Sequence, residues 1–340
     1  MKKVLLLALS LALCVSALAG CGSSAPASSS APAAPSGSAS AAAPAEKHAP
    51  VDITIGTGGT AGTYYVVAAA MAQAINDNSD FLNVTVQATK GSVENINLAN
   101  TGELEMGMSN SDGVYWATTG TGSYAGKEQD VSAVMSLYLS CGQMATLKDS
   151  GINSYADLKG KKVCLGPPST TIVEMSKAIL RAYGIDPEKD IKPYYLAFDE
   201  GLSELTDGTI DATFFVAAAP TSAMVNACST GNIRLVDVPE DVLAAIAKEN
   251  PYYSLYKIPA GTYNGNDKDI NTLKILTEIF VNNDVPEDVV YEFVKQSLEN
   301  VESYVGAHVA CQEINPETAA STISRMHPGA LKYYTEVGVK

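Results

Sequence analysis

From residue 51 onward the chain switches repeatedly between two hydrophobic periods. Val51-Asp52-Ile53-Thr54-Ile55 places β-branched residues at every second position, which predicts a strand. Residues 56–62 are a loop of glycine and threonine, and 63–76 follow as a helix of small residues. Residues 84–86 predict the next strand. Ser92 is placed to cap a helix that runs to about Asn100 and is stopped by Gly102. Residues 106–108 form a short strand. Residues 131–139 are apolar without alternation, as in a strand buried on both faces.

The pattern then repeats. Residues 162–166 predict a strand, and Ser169-Thr170-Thr171 opens a helix in which Thr171 and Glu174 have capping-box spacing. Residues 212–216 and 233–236 predict strands, with Pro220 suited to the first turn of the helix behind the former. The last hundred residues are read as mainly helical, over 242–249, 273–281, 286–305 and 316–325.

Strands alternating with helices predict an α/β fold with mainly parallel sheets covered on both faces. The two similar blocks suggest two lobes: 51–139 plus 239–340 as lobe I, and 140–238 as lobe II. The chain would cross between them near Leu139 and again in the acidic segment 237–241. Two lobes joined by two strands can hinge, with a ligand between them.

The first fifty residues have a different character. Lys2 and Lys3 precede a short apolar run, and small residues follow, so 1–20 reads as an export signal. The run is too short for the ~20 residues that span a bilayer. Leu18-Ala19-Gly20-Cys21 resembles the bacterial lipobox, in which the cysteine is lipidated. The alternative is ordinary cleavage near Ala17 or Ala19, which would leave Cys21 a stray thiol. Residues 22–50 are almost wholly Gly, Ser, Ala and Pro, too poor in apolar groups to offset chain entropy. They are expected to act as a tether reaching about 30 Å. The expected location is therefore the extracytoplasmic face of the cell membrane, anchored at Cys21.

Composition narrows the function. The 340 residues carry 22 Lys+Arg against 37 Asp+Glu, a formal charge of −15. That argues against nucleic-acid binding and against adsorption to anionic lipid through basic patches. Three histidines with no metal-ligand spacing, and no Cys-x-x-Cys, argue against a metal site. Cys141, Cys164, Cys228 and Cys311 are widely spaced and leave one disulfide open in an oxidising compartment. No serine lies in a nucleophile elbow, and no catalytic set or cofactor is expected.

The most informative stretch is Ile55-Gly56-Thr57-Gly58-Gly59-Thr60-Ala61-Gly62-Thr63-Tyr64-Tyr65. It leaves a strand and opens a helix. Glycines admit a ligand close to the backbone, and the helix start offers free N–H groups and the positive end of its dipole. The loosened G-x-G-x-x-G/A pattern also fits a dinucleotide site, but the second strand ends Gln87-Ala88-Thr89-Lys90 with no acid for the ribose. Similar turns follow at Lys90-Gly91-Ser92, Ser109-Asn110-Ser111-Asp112, Gly166-Pro167-Pro168-Ser169-Thr170-Thr171 and 215–220. In open α/β sheets such turns gather where ligands bind.

The candidate ligand contacts are Thr57, Gly59, Thr60, Thr63 and Tyr64 from the first turn, with Ser92 and Asn95 from the second. Ser109 comes from the third, Ser169, Thr170 and Thr171 from the fourth, and Phe215 and Ala217 from the fifth. The three arginines, Arg181, Arg234 and Arg325, lie in none of these turns. Backbone donors and hydroxyls, rather than a guanidinium, would hold a small organic anion.

Several segments, in order along the chain, resemble the TAXI family of TRAP-transporter solute-binding proteins. They are the 55–65 loop, Gly91-Ser92-Val93-Glu94-Asn95, Leu158-Lys159-Gly160-Lys161-Lys162-Val163, Asp207-Gly208-Thr209-Ile210-Asp211-Ala212, Pro259-Ala260-Gly261-Thr262-Tyr263 and His327-Pro328-Gly329-Ala330-Leu331-Lys332-Tyr333-Tyr334. The resemblance implies a type II periplasmic-binding-protein fold and a monomeric receptor for a glutamate-like or 2-oxoglutarate-like anion. It implies delivery to a TRAP-type permease driven by an ion gradient. One departure is Leu139-Ser140-Cys141-Gly142-Gln143, where family members often carry a Tyr-Pro-Glu-type segment. An exported α/β enzyme acting on a small carboxylate is the competing reading, and a sensory input lobe a further one.

Overall fold

The computed structural model describes residues 50–168 and 170–339. The signal, Cys21 and the tether lie outside the described residues, as does Ser169.

Ten strands form one continuous sheet: β1 (Val51–Gly56), β2 (Leu82–Gln87), β3 (Met106–Asn110), β4 (Val131–Leu147), β5 (Lys162–Cys164), β6 (Lys192–Tyr194), β7 (Ala212–Ala217), β8 (Ile233–Leu235), β9 (Ser254–Ile258) and β10 (Ile270–Asn282). The helices of the first half are α1 (Thr63–Asn78), α2 (Ser92–Asn100) and α3 (Ser111–Thr119). Next come α4 (Thr171–Ala182), α5 (Phe198–Thr206), α6 (Ser222–Ala227) and α7 (Glu240–Glu249). The chain ends with α8 (Glu287–Glu299), α9 (Val301–Tyr304), α10 (Pro316–Ala319) and α11 (Pro328–Glu336).

The strand order is β2-β1-β3-β10-β4-β7-β5-β6, with β8 added to β4 and β9 to β10. The strand–helix–strand units pair in parallel: β1 with β2 and β3, and β5 with β6 and β7. The two long strands run against these neighbours. β10 is antiparallel to β3, β4 and β9, and β4 is antiparallel to β7 and β8. Parallel pairing thus characterises each outer flank, and the centre is antiparallel because β4 and β10 traverse both flanks in opposite directions.

The apolar core divides accordingly. In one set, Ile53 and Ile55 of β1 meet Val67, Met71 and Ile75 of α1, whose four-residue spacing puts them on one face, along with Phe293 of α8 and Tyr334 of α11. A satellite joins Ile96, Val114, Trp116 and Phe280. In the other set, Val163 and Phe214 meet Ile179 of α4 and Leu243 of α7, while Phe215 packs with Leu202 and Met224. Each such side chain contributes roughly 1.5–3 kcal/mol on burial. Side chains of β4 up to Tyr138 join the first set, and those from Cys141 on join the second.

Three sequence expectations are corrected. Residues 273–281 are not a helix but the centre of β10, because a strand covered on both faces loses its alternation and reads like a buried helix. The return crossing is therefore β10, and 237–241 instead leads into α7, whose Leu243 and Ile246 pack with Phe214 and Ile179 of lobe II. The helix read over 316–325 stops at Ala319. At the crossing, Ser140 Oγ and Thr277 Oγ1 share a hydrogen bond of 2.9 Å, and the β4–β10 register shifts just beyond, between Thr277 and Glu278 and between Ile279 and Phe280.

Candidate functional site

The carboxyl ends of β1, β3, β5, β6 and β7 face a cavity of about 190 Å³ between the two sets of core residues. The first lobe contributes the starts of three helices: Gly62-Thr63-Tyr64 at α1, Gly91-Ser92 at α2, and Asn110 ahead of α3. The second contributes Thr170 at α4 and Ala197-Phe198-Asp199 at α5. The residues that precede α1, α2, α3 and α4 (Gly62, Gly91, Asn110 and Thr170) make no side-chain hydrogen bond to the first turn they open. The capping roles read for Ser92 and for the Thr171–Glu174 pair are thus not filled. Ser92 Oγ accepts instead from Asn110 N–H at 3.1 Å, and Thr170 Oγ1 donates to Pro167 O at 2.8 Å.

Uncapped first turns leave amide donors and the positive end of the helix dipole facing the cavity wall. Gly91 precedes α2 with φ 106°, a left-handed conformation that glycine adopts without a Cβ penalty. A Cβ on Gly59 would meet nothing within 4 Å, so packing does not demand that glycine, and its absent side chain leaves room for a guest. Thr63 is 4% exposed, and its Oγ1 has no hydrogen-bond partner. A buried hydroxyl is normally paired, so Thr63 leaves an unused donor and acceptor at the cavity wall.

Of the candidate contacts, Gly59, Thr63, Tyr64, Ser92, Thr170, Phe215 and Ala217 line the cavity. Thr57, Thr60, Asn95, Ser109 and Thr171 do not. Thr57 Oγ1 donates to Gln87 O at 2.8 Å, and Ser109 Oγ to Asn110 O at 2.7 Å. Asn95 is fully buried. Its Nδ2 donates to Thr57 O and Met108 O, each at 2.7 Å, and its Oδ1 accepts from Thr89 Oγ1 at 2.6 Å. It ties the first three turns together from beneath. Thr60 is exposed outside the cavity.

Other lining residues were not singled out from sequence. Asn110 is the chief one: its Oδ1 accepts from Tyr64 OH at 2.6 Å, and its Nδ2 donates to Thr171 Oγ1 at 3.2 Å, linking the lobes. Within the Ser109–Asp112 turn, strand alternation decides which side chain reaches the cavity, and the neighbour of Ser109 does. Phe198 is another, stacked on Phe215 with ring centroids 4.1 Å apart. No motif marked it, since an aromatic at a helix start is usually core.

The wall carries two charged residues among those described, Lys90 and Asp199. Lys90 Nζ lies 3.9 Å from Glu94, with its side chain 69% exposed. Burial raises the Tyr64 hydroxyl well above its usual range, so it is neutral and acts as a donor. Nearby in the interlobe contact, burial pushes Asp112 up to about 7.

His308 caps the short helical turn Val309–Glu313 by accepting from Ala310 N–H, and His327 caps α11 by accepting from Gly329 N–H. The four cysteines from Cys141 to Cys311 are free and buried.

Solved structures share this architecture. MatC from Rhodopseudomonas palustris with bound malate superimposes with a TM-score of 0.52 at 12% identity, over 78% of this chain and 91% of that one. The binding-protein component of a Pseudomonas aeruginosa ABC phosphonate transporter gives 0.50 at 11%, over 78% and 80%. The Escherichia coli periplasmic aliphatic sulphonate binding protein SsuA gives 0.45 at 14%, over 76% and 74%. The first two likenesses establish a two-lobed, periplasmic-binding-protein-like α/β fold. At the level of sequence, the profile of the NMT1-like family matches residues 55–338, so the chain belongs to the NMT1-like family.

Proposed function

We propose that the protein is an extracytoplasmic receptor that captures a small organic anion between its lobes and hands it to a membrane transporter. One observation carries the reading: the uncapped starts of α1, α2 and α4 converge from both lobes on one cavity, where Thr63 Oγ1 is buried without a partner. Such a set of donors suits an anion and offers no nucleophile–base pair for catalysis. The shared fold holds malate in the Rhodopseudomonas protein. Among organic anions, the sequence resemblance points to glutamate-like or 2-oxoglutarate-like solutes and to a TRAP-type secondary transporter. The lipobox-like Leu18-Ala19-Gly20-Cys21 supports anchoring at Cys21 on the outer face of the cell membrane.

Calorimetric titration of the purified chain against organic anions tests the central claim. One-to-one binding without product supports a receptor, and turnover or the absence of any binding overturns it. Uptake by vesicles carrying a TRAP-type permease should require the receptor and an ion gradient but no ATP. Cys21→Ala should release the protein from the membrane.

A further inference from the structure

The cavity wall is unevenly furnished. Its free donors belong to the starts of α1, α2 and α4, and Thr63 Oγ1 is a buried hydroxyl without a partner beside them. The start of α5 is already occupied by its own acid: Glu200 accepts from Ala197 N–H at 3.2 Å. Asp199, in the same first turn, puts a negative charge on the wall itself. A carboxylate placed there would find neither a free helix start nor a cation.

The arginines cannot supply one. The Arg234 guanidinium donates to Ile152 O and to Asn153 Oδ1, and Arg325 to Val131 O and Ser132 Oγ. Arg181 lies in the last turn of α4, about 16 Å along the helix from the end that meets the cavity. Lys90 is held at the rim beside Glu94 and is mostly hydrated. Burying an anionic group with no partner is strongly unfavourable. What the rest of the wall offers is apolar: the stacked pair Phe198 and Phe215, with Leu196, Ile172 and Val216. A flat hydrocarbon surface gains by lying against such rings.

We infer that the guest is a small monocarboxylate with an apolar or aromatic body rather than a dicarboxylate, its one carboxylate at the starts of α1, α2 and α4 and its body against Phe198 and Phe215. This inference rests on the receptor reading and, within it, departs from the dicarboxylates to which the sequence resemblance points.

Pairs matched in length isolate the second carboxylate. The full chain is titrated by calorimetry with pentanoate against glutarate, and with phenylacetate and 4-methylpentanoate against 2-oxoglutarate and glutamate. The expected result is that each monoanion with an apolar body binds one-to-one at least tenfold tighter than its dicarboxylate counterpart. Phe198→Ala should weaken phenylacetate binding about tenfold. Phe198→Leu, which keeps apolar volume, serves as the control for folding and should lose less. Tighter binding of glutarate than pentanoate, or of 2-oxoglutarate than 4-methylpentanoate, overturns the inference and leaves the receptor reading standing. An unchanged phenylacetate affinity in folded Phe198→Ala also overturns it. Binding of no anion from either class overturns the receptor reading itself, and the inference with it.

Discussion

The Tyr253 hydroxyl donates to Asp112 Oδ2 across 3.2 Å, joining α3 of the first lobe to the segment between α7 and β9 in the second. Asp112 is fully buried and also accepts from Gly113 N–H at 2.8 Å. With the Asn110–Thr171 bond, it forms a polar clasp beside the cavity that holds the lobes together.

Burial raises Asp112 from 3.8 to about 7, and Glu278, on β10, from 4.5 to about 7. A folded pKa above the unfolded one means that the native state binds more protons between about pH 4 and 7. The associated stability is fully present at low pH and is lost as pH rises through about 7, by an amount on the order of a few kcal/mol. Partly buried His308 and buried His327, held below their ordinary value by desolvation, act in the opposite direction below pH 6.5. The difference between wild type and Asp112→Asn therefore carries the test. The melting temperature of the variant should fall less than that of the wild type between pH 5 and 8, and parallel curves would refute the assignment.

Thr63→Val replaces an unpartnered buried hydroxyl by a methyl group. Removing a polar group that has no partner in the free protein costs little stability, whereas losing a hydrogen bond to an anion costs about 1.5–3 kcal/mol. Ligand affinity should fall roughly tenfold to a hundredfold while the melting temperature stays or rises. A parallel loss of both would mean that the hydroxyl serves the fold.

Asn95→Ala should act the other way round. It strips three backbone carbonyls of a shared donor and leaves the Thr89 hydroxyl without its acceptor. Destabilisation of about 2–4 kcal/mol in denaturant unfolding is expected, because buried polar groups are left unpaired. A stable variant would show that the three turns hold their positions without it.

Gly113→Ala probes closure. A Cβ there would lie 2.5 Å from Ser109 Oγ and 3.2 Å from Thr171 Cγ2, across the lobe contact. Pushing on Thr171 should weaken ligand binding several-fold and enlarge the radius measured by small-angle scattering in the liganded state. An unchanged radius and affinity would place the contact outside the closing motion.

Much of the fold was legible because the flanks obey local rules. Val51, Ile53 and Ile55 alternate, Gly56–Gly62 breaks the pattern, and the small residues of α1 resume it at helical period. β10 escapes a local reading because both its faces are covered: Ile279 and Val281 are buried on one and Glu278 and Phe280 on the other, and buried Glu278 looks like an exposed helix residue. The site was legible as a set of turns but not as a set of side chains. Asn95 and Ser109 have the chemistry of ligand contacts yet spend it on backbone groups. Asn110 and Phe198 reach the cavity only through strand register and helix placement, which no local spacing encodes.

The register shifts of β10 beside Thr277 have a mechanical meaning. A ladder already offset at that point bends more readily there than along its regular stretches. The energy separating open from shut then resides in the handful of side-chain contacts around Asn110, Asp112 and whatever occupies the space between them. For the receptor proposed above, a balance that shallow would let a single guest choose the shape that a transporter meets.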